Sequence, residues 1–178
     1  PTGETAMRRT LLSALFLVLA AQPLAAQEVA IAPAVSAAGL PALGPQWLAA
    51  NPYRHQPAAV DAVAIGRDAY NQACARCHGV DASTNAAPAP DLRNLDRGCR
   101  RIADPALKAR CQADNDAYFA KTVRQGKVIL GVTHMPPWQG VLSQELAWAI
   151  QVFIESRAAG VQAVPRYRRP LLLQAHGR

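Results

Sequence analysis

The spacing of apolar residues divides the chain into an irregular first third and a run of helices. Val63, Gly66 and Tyr70 share one face of a helix expected over 60–75, with Asp61 as its cap. Residues 79–95 are rich in turn formers. Asp104-Pro105 places a capping side chain before a proline at the first helical position, which starts a short helix ending at Arg110. Asp114 or Asp116 caps the next helix, and Gly126 ends it. Residues 131–142 read as loop. Ser143-Gln144-Glu145 then opens a last helix with a cap and a first-turn acid. Its apolar stripe is Leu146, Ala149, Ile150, Phe153 and Ile154, with Gly160 just past its end. No internal repeat and no strand is legible, so the expected class is all-α.

The two ends of the chain follow different rules. Residues 27–59 are rich in alanine and proline, with prolines at 33, 41, 45, 52 and 57, and proline blocks helix interiors. They predict an irregular arm that wraps the domain, since Trp47 and Tyr53 are worth burying; a disordered linker is the competing reading. Further upstream, Met7-Arg8-Arg9 precedes an apolar run over 11–21 broken only by Ser13, and small residues follow at Leu24-Ala25-Ala26. That is the order of a secretory signal peptide. The run is short for a membrane span, which needs about 20 residues; an uncleaved anchor is the alternative. The expected division is therefore 1–26 extension and signal peptide, 27–59 arm, 60–157 helical domain and 158–178 basic tail. The expected location is the periplasm, with no transmembrane segment in the mature chain.

Charge adds one exclusion. The formal net charge is +7, yet five arginines follow Ser156 with no acid among them, so the domain itself is nearly neutral. No other basic cluster interleaves with aromatic residues, which argues against nucleic acid as a partner. The tail segment Arg166-Tyr167-Arg168-Arg169 either steers an acidic partner or is simply solvated. Asp114-Asn115-Asp116 lacks the spaced bidentate glutamate of a calcium loop and reads as helix capping.

The chemistry lies in Cys74-Ala75-Arg76-Cys77-His78. C-x-x-C-H is the spacing of c-type haem attachment. Each thiol adds across one haem vinyl group, and two intervening residues let one turn of chain reach both. The adjacent imidazole then meets the iron. A zinc half-site would need two more ligands at motif spacing, and Cys99 and Cys111 have no paired histidine. A redox C-x-x-C would sit in a βαβ pattern, which is missing. In an oxidising compartment Cys99 and Cys111 are expected to pair as a disulfide, because they flank the short helix ending at Arg110. Neither has the x-x-C-H company that a second haem needs.

Axial ligands to haem iron are His, Met, Cys or Tyr. Met7 leaves with the signal peptide, so the mature chain retains one methionine, Met135, in His134-Met135-Pro136-Pro137-Trp138. The prolines stiffen that segment and hold the thioether at little entropic cost. His134 is the lesser candidate; His55 and His176 read as surface residues. With His78 on one face and Met135 on the other, the iron has no open position. That suits electron transfer and not catalysis, so the chain reads as a carrier and not an enzyme. Trp138 packs on the haem or is an ordinary core aromatic. Arg93 pairs with a propionate or is an ordinary surface arginine.

Over 60–157 these residues resemble class I cytochromes c. The resemblance implies a cytochrome c fold, its helices wrapped around one covalently attached haem c, with an irregular N-terminal arm. Gly66 and Tyr70 match the glycine and aromatic of the family's first helix, and Ile150, Phe153 and Ile154 match the last-helix positions that cross it. Pro90-Asp91-Leu92 resembles the family's Pro-x-Leu step, which implies that the Pro90 carbonyl accepts the proton of His78; Pro88 is the alternative. A narrower set also stands out: N-P-Y-R at Asn51, N-Q-A-C-A-R-C-H-G, A-P-D-L-R at Ala89, Y-F-A-K-T-V-R-Q-G-K, M-P-P-W and Q-E-L-A-W-A-I. It is similar to soluble cytochromes c that accept electrons from periplasmic quinoprotein (PQQ-dependent) alcohol dehydrogenases. That implies such a dehydrogenase as donor and a terminal oxidase or other cytochrome as acceptor. The alternatives are a general carrier between a bc-type complex and an oxidase, or a haem enzyme subunit or gas sensor with a displaceable methionine.

Overall fold

The computed structural model describes residues 29–84 and 89–158. In chain order they form α1 (Ala59–Ala73), the short α2 (Ala75–His78), 3-10 turns at Val80–Ala82 and Leu92–Asn94, α3 (Arg97–Arg100), α4 (Pro105–Gln125), strands β1 (Lys127–Ile129) and β2 (Val132–Met135), and α5 (Gln144–Ala158). The expected leader, basic tail, Gly160 and Pro88 lie outside the described residues. No helix among the described residues is long and apolar enough to cross a membrane.

The helical frame is set by α1 crossing α5. Ala62, Gly66, Ala69 and Tyr70 form the buried face of α1. Gly66 stands at the crossing, where an added Cβ would lie 2.0 Å from the Ala149 carbonyl oxygen. Only a residue without a side chain lets the backbones approach this closely. Tyr70 packs on Phe153 with ring centroids 5.2 Å apart. Asp61 sits in the first turn of α1 but makes no capping hydrogen bond; the N-cap position is Ala58. At the start of α5, Ser143 Oγ accepts from the Leu146 N–H at 3.3 Å.

The sequence shows one apolar stripe on α5, yet nearly every residue from Gln144 to Ile154 is buried. The arm covers the second face. Trp47 packs on Trp148 at 5.9 Å, and the Arg124 guanidinium lies over Trp47 at 5.3 Å. Gln144 Nε2 donates to Gly44 O at 2.6 Å and to Gln46 O at 2.9 Å, while its Oε1 accepts from Leu48 N. Glu145 Oε1 accepts from Leu43 N at 2.9 Å, and Tyr53 OH donates to Pro41 O at 2.8 Å. The arm wraps the domain because its backbone finds fixed partners on α5.

The N-P-Y-R segment is the arm's anchor. Arg54 pairs with both Asp116 of α4 and Glu155 of α5. Asn51 Nδ2 donates to Trp148 O at 2.9 Å and Gln151 Oε1 at 2.7 Å, and Asn51 N donates to Asp116 Oδ2 at 3.0 Å. Gln151 Nε2 completes the network on Asp116 Oδ1 at 2.9 Å. Burial alone would lower the Arg54 pKa, but its hydrogen bonds to Asp116 and Glu155 outweigh that and raise it. Glu155 is raised, because burial exceeds the opposing pull of Arg54.

Two sequence expectations are corrected here. The helices expected to break near Asp114 are one helix, α4, running unbroken from Pro105 to Gln125. Asp104 caps it by accepting from Leu107 N at 2.7 Å, with Pro105 at the first turn as expected. Asp116 does not cap a helix. Its carboxylate is claimed by Arg54, Gln151 and Asn51, so it has no need to compete for its own backbone. The second correction is a β-hairpin where coil was expected: β1 pairs antiparallel with β2, with Ile129 opposite Val132 and Lys127 opposite Met135. The pairing of Cys99 with Cys111 is as expected, with Cα atoms 5.5 Å apart. It fastens α3 to the first half of α4; closing a loop of this size is worth about 3 kcal/mol in the chain-entropy model.

Candidate haem-binding site

The C-x-x-C-H segment is one helical turn appended to α1. Cys74 N donates to Tyr70 O at 2.8 Å, ending α1, and both Cys77 N and His78 N then donate back to Cys74 O, at 3.1 and 3.0 Å. Gly79 stops the turn at φ +74, where a Cβ would lie 2.1 Å from Ser83 O. Tyr70 OH donates to Gly79 O at 2.8 Å and fixes the turn to α1; burial raises the Tyr70 pKa. This compact turn brings Cys74, Cys77 and His78 to the wall of one cavity of about 460 Å³. That is within the range of ligand sites, about 300–1,000 Å³.

His78 Nδ1 lies 3.0 Å from Pro90 O. A carbonyl has no proton to give, so Nδ1 must donate, leaving the Nε2 lone pair as the one able to bind a metal. Met135, the last residue of β2, lines the same cavity. Trp138 also lines it and is buried. Its backbone N–H donates to Val123 O at 2.9 Å, tying the segment after Met135 to the end of α4. His134 stands on the cavity rim, exposed, on the strand face opposite to Met135.

Arg93 is the one sequence candidate that the fold turns elsewhere. It forms a bidentate pair with Asp91, with Nη2 to Oδ2 at 2.6 Å, and does not line the cavity. Two residues apart on a 3-10 turn, the two side chains meet without leaving the surface. The sequence reading also missed part of the wall. Tyr118, Phe119, Thr122 and Val123 form a face of α4 toward the cavity, and Val29 and Ile31 of the arm reach its mouth. The four-residue spacing of the α4 set was legible; the arm's approach was not, since no periodicity marks it.

The donor set discriminates between the chemistries open at the sequence level. Cys99 and Cys111 are consumed by their disulfide, so no second cysteine pair remains for zinc. Burial pushes the Cys74 thiol up to about 12, with Cys77 adding to the rise, whereas the nucleophilic thiol of a disulfide exchanger is held low. Two unpaired thiols, an imidazole with one fixed tautomer and a thioether around an apolar cavity fit covalent haem.

The sequence model of the family described as cytochrome C oxidase, cbb3-type, subunit III matches residues 61–154, and the chain belongs to this family of c-type cytochrome domains. Its members are electron carriers, and the cofactor is covalently attached haem c. The chain is also 42% identical over 124 residues to cytochrome c550 of Pseudomonas aeruginosa, an alignment covering 69% of this chain and 75% of the relative. No solved structure matches the chain.

Proposed function

We propose that this cytochrome is a periplasmic single-haem carrier that accepts an electron from a quinoprotein alcohol dehydrogenase and passes it toward a terminal oxidase. Cys74 and Cys77 would hold the haem through thioether bonds, and His78 and Met135 would supply the iron's protein ligands. The observation that carries this reading is that the Pro90-fixed imidazole and Met135 line one cavity from two separate elements. The haem supplies a one-electron ferric–ferrous couple. The chain's residues close it: Pro90 keeps the imidazole basic, Trp138 and α4 exclude water, and the thioether favours the reduced state.

The donor rests on the joined sequence set from Asn51 to Ile150, and the carrier role is supported by the 42% identity to a cytochrome c550. The oxidase as acceptor is supported by the family's own description. Export is supported by the leader pattern over 1–26, and the haem domain is assigned to 60–157 between arm and basic tail. The test is stopped-flow reduction of the haem-loaded protein by purified quinoprotein alcohol dehydrogenase across a salt series. Fast reduction that falls with salt is expected. Negligible rates at every ionic strength, with fast reduction by a bc-type complex, would assign the chain to the general carrier role.

A further inference from the structure

The tip of the β1–β2 hairpin stands off the core, although Met135 at its end packs against it. Val128 and Val132 are more than half exposed, and Leu130 at the tip is 99% exposed, while Ile129 lines the cavity. Three large aliphatic side chains within five positions gain the folded chain little where they stand. Leu130 also takes φ +50, a left-handed conformation unfavourable for a non-glycine residue. Asparagine or glycine would relieve both penalties at once. Backbone strain and apolar exposure at the same residue mark a surface shaped for something outside the chain.

Three observations identify what that is. Ile129 lines the haem cavity together with Met135, so whatever covers the tip also covers the cavity mouth. Val132 stands about 10 Å along the strand from Met135 at ordinary strand rise. The adjoining sequence is basic: between Asp116 and Glu145 it contains no acid, while Lys121 and Lys127 fall in this stretch. A lipid surface has no electron to exchange with a haem, and a second copy would present the same cations to each other.

We propose that the Leu130 tip is a docking knob for the redox partner protein, inserting into an apolar hollow rimmed by carboxylates and presenting the haem edge beside Met135. This rests on the carrier reading above and names the surface that the carrier uses. The lysines bring the partner in; the aliphatic tip holds the encounter long enough for transfer.

The test compares haem-loaded wild type with Leu130→Asn, which tolerates the left-handed backbone and removes the aliphatic anchor, and with Leu130→Met, which keeps an apolar one. Second-order rates are measured for reduction by quinoprotein alcohol dehydrogenase, for oxidation by oxidase-containing membranes, and for reduction by ascorbate. Leu130→Asn is expected to slow the protein reactions about ten-fold, with Leu130→Met within about two-fold of wild type. The ascorbate rate and the midpoint potential should not change. If wild type ignores the dehydrogenase but Leu130→Asn slows the oxidase reaction, the donor assignment falls and the docking knob stands. Unchanged rates for Leu130→Asn with every protein that wild type reacts with would overturn it. So would a Leu130-dependent dimer in sedimentation, or Leu130-dependent binding to phosphatidylglycerol vesicles with unaltered protein rates. Wild type reacting with neither protein would overturn both readings.

Discussion

The Cα of Gly126 rests against the backbone of Met135: a Cβ on Gly126 would stand 2.3 Å from the Met135 carbonyl oxygen. The end of α4 therefore sets how far the methionine reaches into the cavity. Gly126 is at φ +68, ψ −163, a region open essentially to glycine alone. Gly126→Ala is expected to destabilise the protein by about 1–3 kcal/mol through backbone strain and to displace Met135. Thermal unfolding and the weak ferric charge-transfer band at the red end of the spectrum read the two effects. A variant with both at wild-type values would disconnect Gly126 from the ligand loop.

Met135→Ala should lower the midpoint potential and open one face of the iron, because the thioether favours the ferrous state. Carbon monoxide should then bind the ferrous protein at once, where wild type binds it slowly or not at all. Potential and carbon monoxide binding both unchanged would take Met135 out of the ligand role and leave His134 as the next candidate.

The arm anchor predicts a large loss from a residue far from the haem. Arg54→Met leaves Asp116, 1% exposed, and the half-buried Glu155 without their cation. Breaking a buried pair on one side costs about 3–5 kcal/mol. Urea unfolding should show this, and the double variant Arg54→Met with Asp116→Asn should recover part of it. If Arg54→Met unfolds at the wild-type urea midpoint, the network does not hold the arm.

Acid should loosen the arm at a second point. Burial alone would raise the Glu145 carboxyl, but hydrogen bonds from Leu43 N, from its own backbone N–H and from Ser143 hold it below its usual 4.5. A depressed carboxylate stabilises the fold above its unfolded value and loses that contribution as pH falls through the folded one. Glu155 is raised and acts in the opposite sense, so the comparison must isolate Glu145. The difference in urea midpoint between wild type and Glu145→Gln should be present at neutral pH and vanish below the carboxylate range. A difference that persists undiminished in acid would show that the carboxylate charge is not what holds Leu43.

Local chemistry was legible and long-range partners were not. The Asp104 cap and the Gly126 stop follow from a requirement of the residue or its immediate neighbours, the Gly66 crossing and the Pro90 carbonyl came with the resemblance to class I cytochromes c, and the structure shows each of those contacts; the Asp61 cap, equally local, is not made. Asp116 resembled a cap because aspartate ordinarily seeks nearby N–H groups; its actual partners lie 62 and 35 residues away, on Arg54 and Gln151. The hairpin escaped notice because β1 and β2 span only three and four residues, too few for alternation to register. Arg93, which the sequence left open between a propionate and the surface, pairs with Asp91 on the same turn.

The arm's hold on α5 joins opposite ends of the chain: Leu43 to Glu145, Leu48 to Gln144 and Asn51 to Gln151 bridge 102, 96 and 100 residues. Contacts of such separation form late, because the entropy of closing the intervening chain must be met first. A polypeptide emerging N-terminus first therefore cannot seat its arm until α5 has followed it out. Cys74 and Cys77 precede α5 in the chain and emerge before that closure. A stage with both thiols out and the arm unseated is thus built into the order of the chain.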